Sequence, residues 1–234
     1  MSQRIWQVGV FCFALMTLAI AIWPTIDLSV AGWFYDPNGV EDTRFWSNER
    51  APIAWIYHGV QRGSQLYGLV LLIMLLVSLV PAMRWLQARR VVIGFLLAGL
   101  LIGPGLVVHQ FKSDWPRPRP RDSEPFQGDY AFRRLGELAG ECQRNCSFPS
   151  GHAGFGAYLM APAFLGTRRR YPWLLAGLGG ALGVGFARMA VGAHWLSDVL
   201  FSYWIVGASL SLTWLLVHPD GRRWAGERLF RRKR

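Results

Sequence analysis

The chain has 234 residues, of which 52% are hydrophobic and 17% charged, and it carries a formal net charge of +11. A soluble domain usually holds about 25% charged residues, so an ordinary soluble enzyme is excluded. Scattered Trp, Phe and Gly without a repeat exclude disordered, fibrous and coiled-coil chains, and three cysteines are too few for a disulfide-built scaffold.

Six runs are apolar enough to cross roughly 30 Å of hydrocarbon. In chain order they are 8–26, 66–83, 91–110, 152–166, 172–188 and 198–217. Residues 8–26 also carry features of a signal peptide, with Arg4 before the run and Ser29-Val30-Ala31 after it. The run is long for such a leader and five more follow it, which favours a retained first helix. The fourth run is the shortest. It holds Ala, Gly and Phe rather than Leu, as a span packed between other helices would.

Intervals 1–7, 84–90, 167–171 and 218–234 carry a large excess of Lys and Arg over Asp and Glu. Intervals 27–65, 111–151 and 188–198 are nearly balanced. The positive-inside rule therefore places the first set, and both termini, in the cytoplasm. The tail from Arg228 to Arg234 then lies against anionic headgroups, and the basic charge no longer points to nucleic acid. Trp6, Trp23, Trp85, Trp173, Trp195 and Trp214 stand near run ends, as interfacial belts do. The outer segment 27–64 mixes Trp33, Phe34, Tyr35, Trp46, Trp55 and Tyr57 with polar residues, which predicts short interfacial helices. The expected fold is all-α: one domain over 1–234, a six-transmembrane-helix bundle with short interfacial helices in its outer loops.

Three polar clusters fall at the outer ends of these runs. The first is Lys112-Ser113-Asp114-Trp115-Pro116-Arg117-Pro118-Arg119-Pro120, the second Ser147-Phe148-Pro149-Ser150-Gly151-His152. The third runs from Arg188 through Gly192 and His194 to Asp198. A helix starting near Ala193 would put His194 and Asp198 on one face, where the carboxylate fixes the imidazole tautomer and frees the other nitrogen to attack. Ser150 reads as a helix cap, and Gly151 lets an anion approach the free N–H groups of a helix start. His152, in the first turn, can reach the same anion. An extended path from Lys112 to Arg119 would span roughly 20 Å at ~3.1 Å per residue, so the chain must fold back through 116–120. Only one of Arg117 and Arg119 then readily faces the site. Three cations, two histidines and one aspartate suit phosphorus chemistry, and no metal-ligand spacing is present.

These clusters resemble the signature of the type 2 phosphatidic acid phosphatase superfamily, whose members also include vanadium haloperoxidases. That signature is Lys, six residues, Arg-Pro; Pro-Ser-Gly-His; and Ser-Arg, five residues, His, three residues, Asp. Lys112 to Pro120, Pro149 to His152, and Arg188, His194 and Asp198 match it, with Ala187 where the family often has Ser. The resemblance implies that His194 is the nucleophile, Asp198 its orienter and His152 the leaving-group acid. It implies that Lys112, Arg119, Arg188, Ser150 and the Gly151 N–H bind phosphate oxygens, with no cofactor and no metal.

The implied substrate is a lipid phosphate or pyrophosphate, met among membrane lipids at the outer face of a bacterial inner membrane. Candidates are undecaprenyl pyrophosphate, phosphatidylglycerophosphate, phosphatidic acid and lipid A. The segment 146–152 with Phe34-Tyr35-Asp36-Pro37 looks somewhat like lipid A phosphatase relatives. The same site would serve a lipid phosphotransferase. A channel or transporter is disfavoured, because the polar groups gather at one face and the runs lack midplane charges.

Other polar residues read more blandly. His58, His109 and His218 read as interfacial, with His109 close enough to Lys112 to support the site. Arg117, Arg121, Arg133 and Arg134 read equally as solvated or as bound to headgroups. A Cys142–Cys146 bridge is left open, since an oxidising compartment permits it and a regular helix would not. Gly177, Gly179, Gly180, Gly183 and Gly185 read as packing surfaces for close helices.

Overall fold

The computed structural model describes residues 3–40, 43–47, 49–165 and 170–217. The basic tail, His218 and the side chain of Trp6 lie outside the described residues. The regular elements of the described residues are all helical, joined by long irregular segments at 33–50 and 127–150, and the β-type contact among them is an isolated bridge between Ser123 and Tyr130. Four helical stretches are long and apolar enough to cross a membrane: Ala51–Val77, Arg90–Asp114, Arg170–Ala190 and Leu196–Val217. The bent pair Val10–Ile22 and Pro24–Gly32 makes a fifth if it is counted as one span. Their outward side chains, among them Phe11, Leu18, Leu69, Leu76, Leu106, Leu182 and Leu216, are exposed apolar surface, as lipid contact demands.

The first run divides. Helix α1 is Gln3–Ile22 and α2 is Pro24–Gly32, with an 85° bend over the Val10–Gly32 pair. Proline disfavours helical dihedrals in the residue before it, and Trp23 is extended at φ −101°, ψ 91°. The break turns α2 across the bundle and carries Asp27 into the interior, where it is 2% exposed.

Helix α3, Ala51–Val77, corrects the second run at both ends. At 1.5 Å per residue, 27 residues extend about 40 Å, roughly 10 Å more than the hydrocarbon requires. The excess is the amino-terminal part that carries Tyr57, in a stretch expected to form only short interfacial helices. After the single turn α4 (Arg84–Gln87), the third crossing is one continuous rod: α5 (Arg90–Leu100), a π-helical stretch Leu101–Val107 and α6 (Val108–Asp114). Pro104 lies inside the π-helical stretch. Proline removes one N–H from the helix ladder, and a widened turn accommodates it.

The fourth run is α7, Gly151–Ala157, continued by a 3₁₀ segment, Tyr158–Phe164. It is too short to count as a crossing by length, so the expected six is not reached on that criterion. It packs instead against α8 (Arg170–Ala190) and α9 (Leu196–Val217). Glycine makes this possible: a Cβ on Gly177 would strike Ala157 O and Met160, and one on Gly180 would strike Gly156 O. Gly185 abuts Val199, whereas Gly179 and Gly183 meet nothing and are not packing glycines. Gly180→Ala, which forces α7 and α8 apart, should cost about 1–3 kcal/mol and lower the apparent melting temperature in detergent by several degrees. Gly179→Ala should hold or raise it. Equal shifts would show that close approach is not what Gly180 provides.

Tryptophan placement is partly as expected. Trp23, Trp85 and Trp173 are exposed near helix ends. Trp195 is not interfacial: it is 1% exposed, packed against Phe126 and Phe132, with its indole N–H donating to Pro118 O at 2.9 Å.

Candidate active site

The three clusters are stitched together largely by backbone. Ser147 N donates to Arg117 O at 2.9 Å, joining the second cluster to the first. Trp195 Nε1 on Pro118 O and Arg121 N on Gly192 O (3.0 Å) join the third to the first. Ser202 Oγ lies 2.9 Å from Ser150 O and 2.7 Å from Asp198 O, joining the second to the third. Ser202 stands one turn beyond Asp198 on α9, so its spacing was a legible signal. Gly192 adopts φ 62° in the turn between α8 and α9, a left-handed conformation that glycine permits freely.

His194 differs from expectation in its setting. Helix α9 starts at Leu196, so His194 precedes it rather than sharing a helical face with Asp198. Its Nδ1 lies 2.7 Å from Ser147 O. A carbonyl only accepts, so Nδ1 carries the proton and Nε2 keeps its lone pair. The Asp198 carboxylate is 3.7 Å from Nδ1, beyond a hydrogen bond. Burial pushes the His194 pKa down to about 3, with Lys112 and Arg188 adding to the effect and Asp198 opposing it. The imidazole is therefore neutral at physiological pH, the form a nucleophile needs.

Asp198 is occupied elsewhere. Its Oδ2 accepts from Trp195 N at 2.8 Å, closing the start of α9 from the third helical position. Its Oδ1 accepts from Arg117 Nη1 at 2.6 Å. Arg117 also donates through Nη2 to Asp27 Oδ2 (2.8 Å), through Nη1 to Ser197 Oγ (2.8 Å) and through Nε to Arg133 O (3.1 Å). Its guanidinium stands 5.3 Å from the Trp195 ring centroid. Arg117 is fully buried, so neither the solvated nor the headgroup reading of it holds. One arginine between two buried carboxylates is a charge-assisted, two-sided clamp. Sequence reasoning missed both Arg117 and Asp27, and the alternation of arginine and proline over 116–120 was the available signal.

Of the other expected site residues, Lys112, Gly151 and His152 line a cavity of about 380 Å³, whereas Arg119, Ser150, Arg188 and His194 are not on its wall. Lys112, on the last turn of α6, lines it together with Gly151, His152, Tyr57, His109 and Asn145. The chain does fold back after Lys112, and Arg119 sets Nε and Nη2 on Asn145 O at 3.2 and 2.7 Å. Ser150 caps α7, accepting from Ala153 N at 3.4 Å. His152 stacks on Tyr57 with ring centroids 4.7 Å apart and planes at 22°. Arg188, 6% exposed, holds its guanidinium 4.8 Å from the same ring centroid. The charges of Arg188, Lys112 and Arg119 all act on His152, and those of Lys112 and Arg188 on His194. Cys142 and Cys146 are disulfide-bonded and close the loop just before Ser147, in a non-helical stretch where Asn145 takes φ 52°. The arrangement is a concentrated cationic end of the bundle with one imidazole, that of His194, held through Nδ1 by a backbone carbonyl.

The family model of the PAP2 superfamily matches residues 88–223, the stretch that carries all three clusters. The chain belongs to the PAP2 superfamily, and it is a phosphatase of the multi-pass membrane type. It is 30% identical over 209 residues to a protein named lipid A 4′-phosphatase from Francisella tularensis subsp. novicida, covering 85% of this chain and 92% of that one. It is 38% identical over 133 residues to a protein of the same name from Rhizobium etli, covering 54% and 51%. It is 38% identical over 123 residues to another from Rhizobium leguminosarum, covering 50% and 53%. No solved structure matches the chain significantly.

Proposed function

We propose that this membrane lipid phosphatase hydrolyses a phosphate monoester or pyrophosphate of a lipid through a phosphohistidine on His194. The observation that carries the reading is the His194 geometry: Nδ1 is tied to Ser147 O, which leaves Nε2 its lone pair, and the charges of Lys112 and Arg188 act on the ring. In the first step Nε2 forms a bond to phosphorus as the phosphorus–oxygen bond to the lipid breaks. His152 gives its proton to the departing oxygen. Lys112, Arg119, Arg188, Ser150 and the Gly151 N–H hold the three equatorial oxygens. In the second step water attacks phosphorus, His152 takes the water's proton, and phosphate leaves His194 neutral again. Asp198 acts on the imidazole through its charge at 3.7 Å.

Among the candidate lipids, lipid A is favoured by the names of three relatives. The whole chain acts as one domain. Helix α7 with its 3₁₀ continuation, packed against α8 and α9, completes a short sixth crossing. Both termini then lie in the cytoplasm and the site opens to the periplasm, as the charge asymmetry of the loops supports.

The cations for phosphate come from the chain, so turnover should survive EDTA. Vanadate should inhibit by imitating pentacoordinate phosphorus. The measurement is release of free phosphate by purified protein from a panel of lipid phosphates in chelator, with lipid A expected to be preferred. Activity lost in EDTA and restored by magnesium would overturn the mechanism. Label appearing in a second lipid instead of free phosphate would make the enzyme a phosphotransferase.

A further inference from the structure

Tyr57 lies outside all three clusters and on a helix that otherwise contributes little to the interior: 6% of the most apolar stretch of α3 is buried. Yet its ring makes two contacts at the heart of the cationic end. The His152 imidazole lies nearly parallel to it at 4.7 Å, and the Arg188 guanidinium sits 4.8 Å from its centroid. The ring also lines the cavity that Lys112, Gly151 and His152 share.

We propose that Tyr57 is a positioning residue for His152: a flat platform, held by Arg188, that fixes the plane and reach of the imidazole. The proposal rests on the reading of His152 as the leaving-group acid. His152 is the second residue of a seven-residue helix and is only half-buried, so its own helix restricts the side chain weakly. A proton donor must lie within hydrogen-bond reach of the departing oxygen. Small displacements of a reacting group are costly in rate. Stacking against a ring removes most of the imidazole's rotational freedom and leaves its edge nitrogens available to the substrate. The Arg188 charge over the ring orients that platform in turn. Tyr57 therefore acts through its face, not through its hydroxyl.

The test uses the purified full chain with two substrates: a long-chain alkyl phosphate monoester, whose alkoxide needs a proton, and p-nitrophenyl phosphate, whose phenolate needs it far less. His152→Ala is the reference. Tyr57→Phe, which keeps the ring face, should keep the unsubstituted enzyme's ratio of kcat on the two substrates. Tyr57→Leu should lower kcat on the alkyl monoester about tenfold and change kcat on p-nitrophenyl phosphate by less than about twofold. On the His152→Ala background, Tyr57→Leu should add almost nothing on the alkyl substrate. If Tyr57→Leu does not give a monodisperse protein, Tyr57→Gln, which keeps length but has no ring face, takes its place.

Equal losses on both substrates would make Tyr57 merely structural and overturn the proposal, as would no loss on either. A ratio shifted in Tyr57→Phe as far as in Tyr57→Leu would place the effect in the hydroxyl and also overturn it. If His152→Ala itself shows no leaving-group dependence, the acid assignment fails and the proposal falls with it. If His152→Ala shows that dependence and Tyr57→Leu does not, the acid assignment stands and the Tyr57 role alone is refuted.

Discussion

His194→Ala should abolish both turnover and trapping of phosphate on the protein. His194 is the imidazole whose Nδ1 is pinned on a backbone carbonyl so that Nε2 keeps its lone pair, and the Lys112, Arg119 and Arg188 cations bind oxygen instead. The fold should survive, since the lost ring contributes one hydrogen bond, from Nδ1 to Ser147 O. The companion variant, His152→Ala, should discriminate among leaving groups. Alkyl monoester hydrolysis should fall by about 100-fold or more, the usual worth of a positioned acid. A p-nitrophenyl ester should be comparatively spared, and a pyrophosphate should lie between them. Acid-quenched labelling with radioactive substrate checks both variants. Phosphoenzyme formed by His194→Ala, or equal losses on all leaving groups in His152→Ala, would reverse the assignments.

The second large effect is expected at Arg117. Arg117→Ala leaves Asp27 and Asp198 buried, like-charged and without their shared cation. Breaking a buried ion pair by removing one partner costs about 3–5 kcal/mol, and here one deletion strips two carboxylates. The variant should express poorly or lose its melting transition in detergent, and its residual activity should be negligible. Arg117→Lys should rescue little, because a single ammonium cannot span Asp27, Ser197 and Asp198 as the planar fork does. Adding Asp27→Asn to Arg117→Ala should recover part of the stability, since it removes one of the two stranded charges. Asp198→Asn should cost activity more than fold: it removes the charge beside His194 and keeps an oxygen for Trp195 N. A stable, active Arg117→Ala protein would show that the clamp is dispensable.

The motif residues were legible because their spacing is local. Lys112, Ser150, Gly151, His152, Arg188, His194 and Asp198 were all placed at one end of the bundle by apolar runs and loop charges. What escaped was the set of partners fixed by tertiary packing. Asp27 is 90 residues from Arg117 and 170 from Ser197, and no local pattern links such positions. Tyr57 escaped because the start of α3 mixes Trp55, Tyr57, His58, Gln61 and Arg62, which breaks the apolar run although the helix continues. The fourth run, expected at 152–166, is helical over 151–164, but its shift to a 3₁₀ form after Ala157 is a change that composition does not signal. His194 was placed on α9 by its i, i+4 spacing to Asp198. His194 instead precedes the helix, where the Trp195 N–H donates back to Asp198 Oδ2 and closes the helix start.

The 85° bend at Trp23–Pro24 has a consequence for the order in which the molecule is made. Asp27 leaves the ribosome 90 residues ahead of Arg117 and 170 ahead of Ser197. For the first 90 residues of that interval its carboxylate has neither of these partners. A straight continuation of α1 would risk drawing the charge into hydrocarbon at a cost of about 2.5–3.5 kcal/mol on insertion scales. The turned α2 instead lies across the end of the first crossing and can keep Asp27 wet while synthesis proceeds. The site then closes late, when the loop after α6 delivers Arg117 and the start of α9 delivers Ser197 and Asp198. The amino-terminal helices carry none of the signature residues, yet they hold the first-made half of an ion pair whose other half completes the catalytic end.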